Sequence, residues 1–207
     1  MLARLGNNNE KQTFYQISPD FGRIRRGIGI EIENLGKITR GNSLTAGPGR
    51  WGVPDYSEPP LFRLDSTRGR PLRDLELYHA FWLISEPAKI YFSELDPEAF
   101  SFLECTVITN AREPGPRHWL CDVTRVIPGV IDEEKSNVTP KPSRVGILYD
   151  IPPARAKVVM RPEVVGAAHF FRISYFNREA FCDQQAKDKC KLMGLKGIRF
   201  RNLTGEM

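Results

Sequence analysis

Histidine and cysteine are scarce in this chain, three and four residues in 207. The cysteines stand at 105, 121, 182 and 190 with no regular spacing. That excludes the disulfide framework of a small secreted domain and points to reduced, mostly buried thiols. Long apolar runs are missing as well. The opening MLARLGNNNEKQ holds no stretch of signal-peptide length, and later runs last only a few residues, so neither a cleaved leader nor a membrane span is expected. The expectation is a soluble, cytoplasmic protein. Nucleotide fingerprints fail on inspection. Gly27-Ile28-Gly29 lacks the third glycine and following helix of a dinucleotide motif, Gly47-Pro48-Gly49-Arg50 lacks the Lys-Ser/Thr of a phosphate loop, and no Gly-x-Ser-x-Gly elbow occurs. Internal repeats and low-complexity tracts are also lacking.

What is present suffices for a core. With 41% hydrophobic residues the chain can form one large domain or two small ones. The net charge of +5 raises the question of nucleic acid. Residues 1–75 hold 12 Lys+Arg against 8 Asp+Glu, and residues 76–207 hold 18 against 17. Ten of the twelve N-terminal cations are arginines: Arg4, Arg23, Arg25, Arg26, Arg40, Arg50, Arg63, Arg68, Arg70 and Arg73. Arginine meets phosphates and carboxylates bidentately. Scattered over seventy residues, however, these form neither a basic helix nor a stripe, and solvated arginines on a loop-rich segment are the ordinary reading.

Turn signals crowd the first 75 residues, from Ser18-Pro19-Asp20 to Gly69-Arg70-Pro71. Thr13–Ile17 and Ile28–Ile32 alternate well enough to be strands, and residues 39–60 read as loop. Phe14, Tyr15, Phe21, Trp51, Tyr56 and Phe62 favour a segment packed against the rest. The division expected is therefore a loop-rich N-terminal layer, 1–75, on a main domain, 76–207.

Regular structure sharpens from Leu75. LYHAFWLI has the apolar density of one buried strand, and Ser85-Glu86-Pro87 starts a helix with Ala88, Tyr91, Phe92 and Leu95 on its inner face. Strands are expected at Phe102–Thr109 and His118–Ile127, the second with Trp119, Cys121 and Val123 on one face and Leu120 and Asp122 on the other. Ile131-Asp132-Glu133-Glu134-Lys135-Ser136 reads as a helix start whose carboxylates suit its positive end. A linker bearing Pro140 and Pro142 then precedes strands at Val145–Tyr149 and Lys157–Met160, one helical turn at Pro162–Val165, and extended segments at His169–Ser174 and Ala180–Cys182. Asp183 caps a helix with Ala186, Cys190 and Met193 inward and Gly194 as its stop, and Ile198–Leu203 closes the chain as a strand. The fold class is α+β, mostly antiparallel sheet with a few short helices and an irregular N-terminal layer.

Four stretches, WLISEPAKIYFSELDPEAFSFL, WLCDVTRVIPGVIDEEKSNV, HFFRISYFNREAFCD and GLKGIRF, carry a resemblance over residues 80–203. In their order and spacing they resemble the immunity-protein-11 (DUF1629) family of bacterial immunity proteins, small neutralisers encoded beside polymorphic toxins. The resemblance implies an α+β fold, no cofactor, no catalytic residues and a cognate protein toxin as partner. It does not reach the first 75 residues.

The candidate chemistry can be weighed beside it. His118-x-x-Cys121 with Asp122 nearby could be a metal half-site or a nucleophile pair, but residues three apart on a strand point to opposite faces. No metal site is expected. Asp132, Glu133 and Glu134 could be an acid/base group, yet adjacent acids in one turn diverge instead of converging on a pocket. As a toxin-binding patch the same three residues would imitate the substrate phosphates of a nuclease or nucleotide-modifying toxin. An immunity protein acting by steric and electrostatic block is thus the first expectation, and nucleic acid is not the expected partner. A nucleic-acid-associated protein using the N-terminal arginines is the alternative, and an enzyme without a recognisable motif the third.

Overall fold

The computed structural model describes residues 12–22, 27–41, 43–46, 51–143, 146–150, 157–176 and 179–204. In chain order its elements are β1 (Phe14–Pro19), β2 (Ile30–Ile32), α1 (Leu35–Ile38), β3 (Leu61–Leu64), β4 (Leu75–Tyr78), β5 (Phe81–Ser85), α2 (Glu86–Leu95), β6 (Phe100–Ile108), β7 (His118–Val123), β8 (Val126–Ile127), β9 (Thr139–Ser143), β10 (Gly146–Asp150), α3 (Pro162–Val165), β11 (Phe170–Ile173), β12 (Ala180–Asp183), α4 (Gln184–Leu192) and β13 (Ile198–Asn202). Two sheets carry the fold, with strand orders β13-β1-β12-β11-β8 and β2-β3-β6-β7-β5-β4, and β9 and β10 form a separate ribbon. Pairing is antiparallel except for β8 with β11 and β3 with β6. The architecture is α+β.

Alternation along the strands builds three apolar layers. Tyr15, Ile17, Trp82, Ile84, Trp119, Cys121, Phe170 and Cys182 face a central core shared by both sheets and closed by Ala88, Tyr91 and Phe92 of α2 and Ala186 and Cys190 of α4. The opposite faces of the same strands send Phe14, Phe171 and Phe181 into a second cluster, and Phe81, Leu83 and Leu120 into a third with Phe62 and Leu44. This explains why all six residues of β7 are buried. A strand covered on both faces has no solvent side to reveal.

The N-terminal third is woven into both sheets. β1 lies between β12 and β13, with Tyr15 opposite Cys182 on one side and Asn202 on the other, while β2 and β3 extend the second sheet beyond β6. Ser85 caps α2 by accepting from the Ala88 amide, and Asp183 caps α4 by accepting from that of Ala186 at 2.8 Å. Gly194 at φ +67 ends α4. Gly197 needs the freedom of its missing side chain: at φ +83, a Cβ would sit 2.5 Å from the Leu75 carbonyl oxygen.

Several elements depart from the sequence reading. LYHAFWLI folds as a hairpin, β4 and β5, turning at His79-Ala80 with His79 at φ 54 and its Nδ1 accepting from the Leu44 amide at 2.8 Å. The expected strand His118–Ile127 breaks after Val123. Arg125 is drawn to Asp96 (2.6 and 2.7 Å), and Val126–Ile127 crosses to the other sheet. Residues 131–136 form a turn, not a helix start. The Asp132 carboxylate accepts from the Lys135 amide at 3.2 Å, while the amides of Asp132 and Asn137 pair with the carbonyls of Val159 and Lys157. The Asn137 amide, which a helix here would give to the Glu133 carbonyl, is thus taken by the neighbouring chain segment. That segment, 157–160, is correspondingly a loop with one bridge, Met160 to Ile131. The expected Pro140/Pro142 linker is itself β9, where prolines two apart direct their missing donors to one edge of a ribbon. Its partner begins at Gly146, and Val145 lies outside the described residues. Met193, expected inward, is 44% exposed at the helix end.

Candidate functional site

The three carboxylates singled out in the sequence have different surroundings. Asp132 is ion-paired with Lys135 at 2.8 Å, and this hydrogen bond holds its pKa below the ordinary value. Glu133 accepts from the Tyr149 hydroxyl, and burial, reinforced by that carboxylate, raises the phenol to about 12. Only Glu134 is left exposed without a hydrogen bond or ion pair among the described residues. It borders a groove of about 490 Å³ shared with Phe14, Lys135, Lys157, Met160 and Leu203, so the surroundings are of mixed sign.

A second cavity, about 390 Å³, brings Asp74, Ser85 and His118 together. Their bonding is wrong for nucleophilic catalysis. Ser85 Oγ donates directly to Asp74 at 2.7 Å, and His118 Nδ1 pairs with the Pro116 carbonyl at 3.0 Å, so the imidazole does not receive the hydroxyl proton. Burial holds the His118 pKa below its ordinary value. Beside them Glu76, 3% exposed, binds Arg70 through both carboxylate oxygens and Arg73 at 2.9 Å. A third cleft, about 470 Å³, has Asp122 and Arg172 among its walls. Arg172 donates to Asp122 at 2.6 Å and to the Val123 carbonyl at 2.6 Å, and its guanidinium lies 4.3 Å from the Trp51 ring. At both cavities arginines are paired with carboxylates, Arg70 and Arg73 with Glu76 and Arg172 with Asp122.

His118 and Cys121 share β7, but Cys121 is fully enclosed and burial keeps its thiol protonated, as it does for Cys182. Burial lifts Cys105 and Cys190 to about 12. All four cysteines are free and buried. Among the described residues no group of three or more His, Cys, Asp or Glu is arranged to hold a metal.

Among the described N-terminal arginines, four are ion-paired. Arg63 pairs with Glu31 and Glu33, Arg68 with Glu31 and Asp65, and Arg70 and Arg73 with Glu76. Arg4, Arg23, Arg25, Arg26 and Arg50 lie outside the described residues. By contrast, residues 184–204 hold Lys187, Lys189, Lys191, Lys196, Arg199 and Arg201 against a single acid, Asp188. Lys187, Lys191 and Arg199 border one shallow depression.

One comparison decides the family. The model of the Imm11 immunity protein family matches residues 13–204. The chain belongs to the Imm11 immunity protein family. The match runs well into the N-terminal third, which the sequence resemblance had left out and which supplies β1, β2 and β3. No curated protein matches the chain. Immunity is the function that Imm11 membership suggests, and a toxin is the partner it implies. Among the described residues, no helix of this Imm11 protein is long and apolar enough to cross a membrane.

Proposed function

We propose that this Imm11 protein neutralises a cognate toxin domain by binding it one to one and covering its active site or an adjoining surface, without turnover. The family match over residues 13–204 carries the reading. Support comes from Ser85 and His118, whose hydrogen bonds go to Asp74 and to the Pro116 carbonyl and form no serine–histidine pair. The setting would be the cytoplasm of a bacterium with a polymorphic toxin system, and the toxin a nuclease or nucleotide-modifying enzyme. In such a complex a few anchors supply most of the affinity and complementary charge sets the association rate.

Asp132, Glu133 and Glu134 are proposed as one contact, with Glu134 leading because it has no hydrogen bond or ion pair among the described residues. Asp132 would shape the turn and Glu133 would orient with Tyr149. The test is co-expression with the toxin domain encoded beside the chain. A co-purifying equimolar complex in which the toxin is inactive supports the reading. An active toxin that elutes apart from a folded Imm11 protein removes it.

A further inference from the structure

We propose that the open edge of β13, with the cations of α4 beside it, is a docking strip for an acidic face of the toxin; this rests on the immunity reading above. Residues 184–204 carry six cations and one acid, and that acid, Asp188, already accepts from Gln184 at 2.7 Å. Lys187 and Lys191 stand one turn apart on the same side of α4. With Arg199 they border an open depression of about 580 Å³ whose one carboxylate is Asp20. Lys187 Nζ lies 3.6 Å from the centre of the Tyr15 ring, which holds its charge in place without neutralising it. Lys191 and Arg199 have no ion-pair partner among the described residues.

Geometry adds to charge. β13 is the last strand of its sheet, so one backbone edge is left without a strand partner among the described elements. Leu192, 84% exposed, and Met193, 44% exposed, put aliphatic surface next to Lys191. The platform is firm: Asp183 caps α4, Ala186 and Cys190 are buried, and Tyr91 donates to the Ala186 carbonyl at 3.2 Å. Charges on an edge strand deter aggregation, and lysines suit a helix C-terminus. Those roles leave mid-helix Lys187 and the bare Leu192 unexplained.

A polypeptide fits these features better than a nucleic acid does. An unpaired strand edge and aliphatic side chains complement a protein surface, whereas single strands bind by stacking on open aromatic rings. Here the Tyr15 ring is covered by Lys187 and Phe200 is half-buried.

The experiment measures binding of the neighbour-encoded toxin domain at low and high salt to wild type, Lys191→Gln/Arg199→Gln, Leu192→Ser, and a Lys37→Gln/Arg40→Gln control on a remote exposed surface. The double variant should weaken binding about tenfold, chiefly in association rate, and flatten its salt dependence. Leu192→Ser should weaken it several-fold by faster dissociation, and the control should stay within about twofold of wild type. A folded double variant with wild-type affinity and salt slope would overturn the strip while leaving the immunity reading intact. Wild type failing to bind would overturn both. Tight binding of poly(U) RNA near physiological salt, lost in the double variant, would reassign the surface to nucleic acid.

Discussion

Arg172 of β11 and Asp122 of β7 meet at 2.6 Å with 6% of each side chain exposed, and the pair ties one sheet to the other. Truncating one member strands a buried charge, so Asp122→Ala should cost roughly 3–5 kcal/mol. Replacing both by leucine should cost far less, because the desolvation penalty vanishes with the charges. Urea unfolding of the two variants decides it. Equal losses would mean that the pair matters by packing alone.

Acid should act through Glu76. Burial pushes its pKa up, but hydrogen bonds from Arg70 and Arg73 more than reverse this and leave it below the ordinary 4.5. A carboxyl lowered in the folded state contributes stability that is complete above its unfolded pKa and is lost as pH falls through the folded one. The stability difference between wild type and Glu76→Gln should therefore be constant near neutrality and shrink below about pH 4.5. A difference independent of pH down to the acid transition would contradict the ion-pair assignment.

The thiols of Cys105, Cys121, Cys182 and Cys190 are buried and held protonated by burial. None should react with an aromatic disulfide reagent on the folded protein, and all four should react together with global unfolding in denaturant. A fast-reacting thiol under native conditions would show that one side of the core opens locally.

The acidic turn should divide by residue. Glu134→Gln should account for most of any loss of association rate with the toxin, while Glu133→Gln should add little. Asp132→Ala should instead raise amide exchange from Asp132 to Ser136, because the carboxylate closes the turn. Stopped-flow association and hydrogen exchange on the same variants separate these roles.

Legibility followed locality. α2 could be read from Ser85, Pro87 and the 88/91/92/95 spacing because cap, proline and apolar face are all local signals. α4 could be read from Asp183 and Gly194 for the same reason. The β4–β5 turn was hidden because His79-Ala80 has neither glycine, proline nor asparagine, and both flanking strands are apolar. Residues 131–136 misled because the amides of Asp132 and Asn137 are taken by the carbonyls of Val159 and Lys157, a competition no local window contains. The placement of β1 between β12 and β13 joins residues 163 to 187 positions apart. Charge misled through averaging. Residues 76–207 are nearly balanced as a whole, and the run KDKCKLMGLKGIRFR inside them is not, while four of the ten N-terminal arginines, Arg63, Arg68, Arg70 and Arg73, are paired with Glu31, Glu33, Asp65 and Glu76.

The most direct measurement of the central claim is an activity titration of a fixed amount of the neighbour-encoded toxin domain with this Imm11 protein. Stoichiometric neutralisation predicts a linear fall in toxin activity that ends at one equivalent, with full activity recovered when the complex is dissociated and the partners separated. Inactivation of excess toxin by a small fraction of an equivalent, or no inhibition at several equivalents of folded protein, would contradict it.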